Sequence, residues 1–241
     1  TNKKYELDPY LTKDEAHKIT KFDAGDTFTI FYKDNSIQRL DTKVKEIEKS
    51  KEYISIENYE IANQNLKQAQ KIQKLISTEY YKSEITDDIP GVEFSAAIKN
   101  IYSMLIGAAE GLSNPSAPTE IQEKFYLNTS AGLVHRSISE MVEFVSYYSG
   151  RVETVYGLAG LGDLHVSVAG GRNSLMGKYL GQGYLYKDAK ENFMKEITVE
   201  GAQLAFEIEP KIMKNFKEKQ FPLMFSILKC ICYNKKLEIN W

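Results

Sequence analysis

The sequence has few cysteines and no long apolar run. Its two cysteines, Cys230 and Cys232, stand two positions apart in an apolar segment. A helix would point them in different directions, which argues against a mutual disulfide and for a reducing, cytoplasmic compartment. No apolar stretch reaches the roughly 18 residues typical of a membrane span, and the first ten residues are too polar for a signal peptide. We therefore expect a cytoplasmic protein without a membrane partner.

The sequence also lacks an excess of charge of either sign. It has 31 basic and 33 acidic residues, for a formal net charge of -2. This balance gives no global field for nucleic acid, so we expect no nucleic-acid partner and a local site for any bound anion. The three histidines, His17, His135 and His165, have no spacing suited to a metal, and we expect no metal ion.

The first hundred residues contain no methionine and are weakly patterned up to about residue 50. Because an initiator methionine is missing, the chain is either part of a longer gene product or a short protein whose first residues were removed. Thr27–Tyr32 and Tyr53–Ile56 are rich in β-branched and aromatic residues and are strand candidates. Apolar residues at three- and four-residue steps predict an amphipathic helix over 59–76. Thr86 to Asp88 then offer cap chemistry, and Pro90 suits a first helical turn.

After Pro90 the signals are almost wholly helical. Gly91–Leu112 is apolar nearly all round, which is typical of a helix in the centre of a bundle. Further helices are predicted over Gln122–Tyr148, Lys187–Lys195, Glu200–Ile208 and Leu223–Tyr233. The fold class is therefore mainly α, with a helical domain over 85–241 and a small α/β remainder over 1–84.

Lys99 lies inside the apolar helix predicted over 91–112, where few faces reach solvent. Burial disfavours the charged ammonium, so we expect a lowered pKa and a lysine able to exchange a proton near neutral pH. A lysine whose head reaches solvent from a helix end is the alternative.

Glycine-rich segments flank two further candidates. Asp163 follows three glycines in GLAGLGDL, and such an aspartate is either catalytic or an ordinary turn residue or cap. The pair Arg172 and Asn173 follows two glycines and precedes a helical stretch. A guanidinium, an amide and free backbone N–H groups could converge there on an anion, although a plain N-cap with a solvated arginine fits equally well.

Several motifs in order carry a resemblance to a known family. They are TDDIPGVEFSAAIKN (86–100), NTSAGLVHRSISEM (128–141), GLAGLGDL (157–164), GGRN (170–173), GKYLGQG (177–183) and VEG (199–201). From about Tyr53 onward the chain resembles the NAD(P)-dependent glycerol-3-phosphate dehydrogenases. The resemblance implies a helical domain like that of glycerol-3-phosphate and 6-phosphogluconate dehydrogenases, and a place in phospholipid biosynthesis. It implies interconversion of glycerol 3-phosphate and dihydroxyacetone phosphate with NAD or NADP, and a possible homodimer.

The resemblance also assigns roles to residues. Lys99 matches the catalytic lysine, and Asp163 the aspartate near the reacting carbon. Asn100, Ser167, Arg172 and Asn173 match substrate-binding positions, of which Arg172 also approaches the cofactor. Glu200 matches a residue on the cofactor side of the cleft.

The departures from the family pattern keep two alternatives open. The Gly-x-Gly-x-x-Gly turn that binds the dinucleotide in this family occurs after no strand candidate here. One alternative is a non-enzymatic module that has kept dimerisation or sugar-phosphate binding. The other is an enzyme of the same superfamily that acts on another phosphorylated or 2-hydroxy substrate.

Overall fold

The structure is a computed structural model, and it describes residues 54–57, 60–63, 65–79, 81–113 and 119–240. The strand candidate over Thr27–Tyr32 lies outside these residues. In the described part the chain is mainly helical, as predicted, with a small sheet ahead of the helices. None of the described helices combines the length and the apolar character that a bilayer crossing requires.

The three strands form one mixed sheet in the order β1, β2, β3. β1 (Ile54–Glu57) pairs antiparallel with β2 (Glu60–Asn63), and β2 pairs parallel with β3 (Glu84–Thr86). The helix α1 (Leu66–Ile76) connects the two parallel strands. This β2-α1-β3 unit is the kind of crossover from which parallel sheets are built.

The helix predicted over 59–76 is wrong in its first part, because residues 60–63 form β2. Ile61 and Ala62 fit the helical spacing, but strand pairing beside β3 buries both side chains completely. The Asn65 side chain then accepts a hydrogen bond from the Lys67 N–H at 3.2 Å, and α1 begins at Leu66. A local cap and a tertiary pairing thus decide where the strand ends and the helix starts.

The central element is α2 (Ile89–Leu112), which is buried on nearly every side, as its composition predicted. Its N-cap is Asp88, whose Oδ1 accepts from the Gly91 N–H at 3.0 Å, and Pro90 lies in the first turn. The long helix α3 (Thr119–Tyr147) packs beside α2 and buries Leu133, Met141 and Val145. The predictions for both helices are confirmed within a few residues.

The remaining elements surround α2. They are α4 (Val152–Tyr156), a π-helical turn (Leu158–Gly162), α5 (Asp163–Val168), α6 (Arg172–Gly181), α7 (Tyr186–Phe193), α8 (Glu200–Asn215) and α9 (Pro222–Cys232). The predicted end of the helix at Ile208 is wrong, because α8 continues through Pro210 to Asn215. A proline removes one helical hydrogen bond, and the burial of Ile212 against the core holds the helix beyond it.

Glycines set the spacing between α2 and α6. Gly107 and Gly111 on α2, and Gly177 and Gly181 on α6, each face the backbone of the other helix so closely that a Cβ would overlap it. The four-residue spacing within each pair places both glycines on one face. This close approach carries the start of α6, with Arg172 and Asn173, to the part of α2 that holds Lys99 and Asn100.

Candidate functional site

Lys99 and Asp163 form a buried ion pair in the centre of the candidate site. The Lys99 Nζ contacts the Asp163 Oδ2, and the two residues are 7% and 2% exposed. An isolated buried charge of either sign is costly, and each group here offsets the desolvation of the other. The position of Lys99 in an apolar helix predicted a buried ammonium without naming a partner, and the structure gives it the carboxylate of Asp163.

The segment before Asp163 explains how this carboxylate reaches α2. The π-helical turn Leu158–Gly162 leads directly into α5, whose first residue is Asp163. Gly160 lies against the Val155 carbonyl, where a Cβ would overlap the backbone. Single π-helical turns are frequent at functional sites. Gly160 therefore permits a compact turn ahead of Asp163, which is buried against Lys99.

Asn100, beside Lys99 on α2, bonds to Asn173 in the first turn of α6. The Asn173 Nδ2 donates to the Asn100 Oδ1 at 3.0 Å. The Gly201 N–H, at the start of α8, donates to the Asn173 Oδ1 at 2.9 Å. Asn173 is 6% exposed. Its amide thus joins α2, α6 and α8 at one point.

Arg172 and Glu200 form an exposed ion pair beside this junction. Their closest atoms, the Arg172 Nη2 and the Glu200 Oε1, are 2.6 Å apart, and the side chains are 54% and 40% exposed. The N-cap residue of α6 is Gly171, which has no side chain and therefore makes no cap bond to the first N–H groups of the helix. The first N–H groups of α6 and the Arg172 guanidinium therefore lie together at the end of one helix.

Ser167 lies one turn after Asp163 on α5, which places the two residues on the same helix face. Its carbonyl accepts from the Gly171 N–H at 3.2 Å and so links α5 to the start of α6. No hydrogen bond of the Ser167 hydroxyl to another described residue is found. The structure thus brings the predicted site residues together as three adjoining pairs, with Ser167 on the element that joins two of them.

Glu140 is a further buried carboxylate, and it was not predicted from the sequence. Glu140 on α3 is 1% exposed. It accepts from the Tyr102 hydroxyl at 3.1 Å, and from the Leu223 and Met224 N–H groups at 2.9 and 3.0 Å. It also accepts from the Arg136 Nε at 3.2 Å. Burial raises the pKa of Glu140, and burial beside this carboxylate raises the pKa of Tyr102 well above its ordinary value.

Asp88 likewise does more than the predicted cap. Its Oδ2 accepts from the Arg151 N–H at 2.8 Å and from the Thr154 hydroxyl at 2.6 Å. Thr154 belongs to α4, which precedes the π-helical turn and Asp163. The sequence marks Asp88 as a cap through Pro90, but no local signal gives these long-range bonds.

The other candidates lie away from this centre. His135 and His165 are exposed, and His17 lies outside the described residues. Within the described ranges no group of three or more His, Cys, Asp or Glu side chains is arranged to hold a metal ion. Cys230 is buried and Cys232 is partly buried, and both thiols are free.

Comparison with known proteins places the chain in a family. The model described as "NAD-dependent glycerol-3-phosphate dehydrogenase C-terminus" matches residues 88–239. The chain belongs to this family, which confirms the resemblance seen in its motifs.

The relatives agree with this assignment. A protein from Archaeoglobus fulgidus named NADP(+)-dependent glycerol-3-phosphate dehydrogenase is 32% identical over 176 residues, which are 70% of this chain and 49% of the relative. A glycerol-3-phosphate dehydrogenase [NAD(P)+] from Clostridium botulinum is 31% identical over 155 residues, or 63% of this chain and 44% of the relative. The crystal structure of the glycerol-3-phosphate dehydrogenase from Coxiella burnetii is 26% identical, with a TM-score of 0.61, over 73% of this chain and 50% of that one. The chain spans about half the length of the curated relatives it matches.

Proposed function

We propose that this chain is the catalytic, substrate-binding part of a glycerol-3-phosphate dehydrogenase, which interconverts sn-glycerol 3-phosphate and dihydroxyacetone phosphate with NAD or NADP. The observation that carries the proposal is the buried ion pair between Lys99 and Asp163 beside the start of α6, where Arg172 and the first N–H groups of the helix lie together. Family membership and the names of the relatives support it.

Lys99 is the group that moves the proton of the substrate hydroxyl. Oxidation of the secondary alcohol at C2 breaks its O–H bond and its C–H bond. The hydrogen on C2 leaves as a hydride, and Lys99, when its Nζ is the neutral amine, takes the hydroxyl proton and becomes the ammonium. In the reverse direction the ammonium returns it to the oxygen of the ketone. Asp163 contacts the Nζ and so holds it in place and balances its charge while the proton moves.

The substrate phosphate is bound by Arg172 and the first N–H groups of α6. A guanidinium can donate two parallel bonds to a phosphate, and a helix N-terminus favours negative charge. Arg172 is paired with Glu200 in this structure, and part of that ion pair would be replaced by the contact between Arg172 and the phosphate. Asn100 and Ser167 lie next to the catalytic pair, one on α2 and one on α5, and supply further polar groups to the substrate.

The exposed ion pair of Arg172 and Glu200 can also contact a nicotinamide dinucleotide. The Arg172 guanidinium can donate to its phosphate or ribose oxygens, and the Glu200 carboxylate can accept from its amide or hydroxyl groups. When bound, the nicotinamide supplies the hydride acceptor.

Lys99→Ala in the complete gene product tests the proposal. We expect an unchanged circular dichroism spectrum and a fall in kcat of at least about 100-fold, the usual scale for losing a general acid or base. Lys178→Ala is the matched control, because Lys178 is a partly exposed lysine on α6 that pairs with Glu110. We expect it to keep kcat within about twofold.

Other outcomes of the same assay support the alternatives. A Lys99→Ala enzyme with a near-normal kcat contradicts the assigned role. A complete wild-type protein that binds glycerol 3-phosphate without turnover is a binding module. One that oxidises a different phosphorylated or 2-hydroxy substrate is a superfamily relative with another specificity.

Arg172→Ala tests the phosphate site separately. Because a charge-assisted contact is lost, we expect KM for dihydroxyacetone phosphate to rise at least about tenfold. Reduction of dihydroxyacetone, which lacks the phosphate, should lose only the smaller factor that the contact of Arg172 with the cofactor contributes. Equal losses for both substrates would assign Arg172 to the cofactor or to the fold.

A cytoplasmic location and a homodimer remain parts of this proposal. The two free thiols fit a reducing compartment. Size-exclusion chromatography with light scattering on the complete protein decides the oligomeric state.

A further inference from the structure

The Asp88 carboxylate contacts both segments of the chain that carry the buried ion pair. Its Oδ1 accepts from the Gly91 N–H at 3.0 Å and so caps α2, the helix of Lys99. Its Oδ2 accepts from the Thr154 hydroxyl at 2.6 Å. Thr154 lies on α4, and the chain continues from there through the π-helical turn to Asp163. One carboxylate therefore joins the start of the lysine helix to the segment that ends at the aspartate.

The surroundings of Asp88 hold its carboxylate in this position. Asp88 and Thr154 are 5% and 4% exposed, so little water competes for their hydrogen bond. The Arg151 N–H donates to the same Oδ2 at 2.8 Å. A Cβ at Gly91 would overlap the carboxylate, which means that the first turn of α2 lies directly against it. Because a hydrogen bond to a carboxylate is roughly twice as strong as one between neutral groups, the bond from Thr154 firmly links α4 to α2.

Backbone hydrogen bonds lead from Thr154 to Asp163. The Gly157 N–H donates to the Thr154 carbonyl at 3.2 Å, and the Gly162 N–H donates to the Gly157 carbonyl at 3.1 Å. Asp163 directly follows Gly162 and begins α5. A displacement of Thr154 is therefore passed through this short run of bonds to the backbone of Asp163.

The Asp163 side chain has little else to hold it against Lys99. Its Oδ2 is buried, and apart from the ion pair with the Lys99 Nζ it has no hydrogen-bond partner among the described residues. The contact between the two charges therefore depends on where the backbone of α5 begins.

We propose that Asp88 and Thr154 are positioning residues, which together hold the Asp163 carboxylate at the Lys99 Nζ. The helices α2 and α4 cannot shift against each other without breaking a buried bond to a carboxylate, so the ion pair keeps its contact while the proton moves. Both residues act through Asp163. Their part in turnover rests on the proposed function, whereas their effect on the ion pair does not.

Thr154→Val removes the hydroxyl at almost constant shape and leaves Asp88 its bonds to the Gly91 and Arg151 N–H groups. A misplacement of about 1 Å can cost about 100-fold in rate, so we expect kcat of the complete gene product to fall at least about tenfold. Thr154→Ser keeps the hydroxyl and should stay within about threefold of the wild type.

Thr129→Val is the matched control for this substitution. Thr129 is a half-buried threonine on α3, and no hydrogen bond of its hydroxyl to another described residue is found. We expect it to keep kcat within about twofold. Losses as large as that of Thr154→Val in Thr154→Ser or in the control overturn the proposal.

A double-mutant cycle tests whether Thr154 acts through Asp163. In the Asp163→Ala background there is no carboxylate to position, so Thr154→Val should lower kcat by less than about twofold more. Equal factors in both backgrounds overturn the proposal.

Acetylation of lysines by acetic anhydride tests the ion pair without any turnover. The reagent attacks the neutral amine, and a carboxylate beside an ammonium keeps it charged. At about pH 8, peptide mass spectrometry should show Lys99 acetylated at least about threefold faster in Thr154→Val than in the wild type. Lys178, which pairs with Glu110, is the internal control in the same sample and should react at an unchanged rate.

Asp88→Asn is the second variant for this measurement, because it keeps one oxygen as an acceptor and should also speed the acetylation of Lys99. An unchanged rate at Lys99 in both variants overturns the proposal. An equal increase at Lys99 and Lys178 shows a general loosening of the fold and overturns it as well. A wild-type protein without dehydrogenase activity contradicts the proposed function alone, and the acetylation rates still decide whether Asp88 and Thr154 hold the ion pair together.

Discussion

Glu140→Ala should strongly destabilise the helical domain, although Glu140 lies outside the candidate site. Its carboxylate is 1% exposed and caps α9 from a different helix. The N-cap residue of α9, Phe221, makes no side-chain cap bond of its own. Glu140 therefore takes over a task that a local serine or aspartate usually performs.

The magnitude follows from the donors that lose their acceptor. Three buried groups donate hydrogen bonds to this carboxylate: the Leu223 N–H, the Met224 N–H and the Tyr102 hydroxyl. Each buried donor left without a partner costs about 1–3 kcal/mol. Removing the carboxylate also relieves its own desolvation, so we expect a net loss of about 3–5 kcal/mol in the free energy of unfolding. The free energy of unfolding of a native domain is roughly 5–15 kcal/mol, so this loss is a large part of it.

The same residue predicts a pH dependence. Burial raises the pKa of Glu140 above its ordinary value of 4.5, so the folded state keeps this proton to higher pH than the unfolded chain does. Its contribution to stability is greatest below pH 4.5 and falls as the pH rises through the folded pKa. The gap in unfolding free energy between wild type and Glu140→Ala should therefore narrow with rising pH.

Urea denaturation followed by circular dichroism, at several pH values, measures both effects. Glu143→Ala is the control, since Glu143 carries the same charge on the same helix but is exposed. We expect it to change stability by less than about 0.5 kcal/mol. A loss below about 1 kcal/mol for Glu140→Ala would refute the capping argument.

Two further predictions concern packing and the thiols. Gly177→Ala places a Cβ against the Met104 carbonyl, so we expect a loss of about 1–3 kcal/mol by urea denaturation. Gly170→Ala, with no neighbour within 4 Å, should be neutral, and equal losses for both variants would contradict the close helix contact. Burial raises the pKa of Cys230 to about 12 and that of Cys232 to about 11. Because the thiolate is the reactive form, a disulfide reagent at pH 8 should label both at least about 100-fold more slowly in the native protein than in urea. Rapid native labelling of either thiol would show that the burial argument is wrong.

The extent of the helical part could be predicted because its signals are local. The composition of α2, the cap at Asp88 and Pro90 lie within a few residues of one another, and they fix where that helix begins. The order of the motifs likewise predicted the family and selected the candidate residues. Their assigned roles as catalytic and binding groups stay predictions.

Local sequence signals predicted the wrong secondary structure, or the wrong helix end, at two places in the chain. Ile61 and Ala62 satisfy a helical period, yet pairing with β3, which lies beyond α1 in the chain, makes them a strand. Pro210 signals a helix end, but contacts of the following turn with the core keep α8 intact. In both places a distant contact outweighs a local preference, which at Pro210 is about 3 kcal/mol.

The sequence by itself determined which residues lie on buried helices and which glycines are available for close contacts. Only the tertiary structure decided that Lys99 meets Asp163, that Asn173 joins Asn100 to Gly201, and that Glu140 caps a helix far along the chain. The physical reason is that a buried polar group must find its partner wherever the packing of the helices brings one. Periodicity and caps depend only on neighbours within a few positions, whereas the packing of α2 against the helices around it, and of α3 against α9, determines these distant contacts.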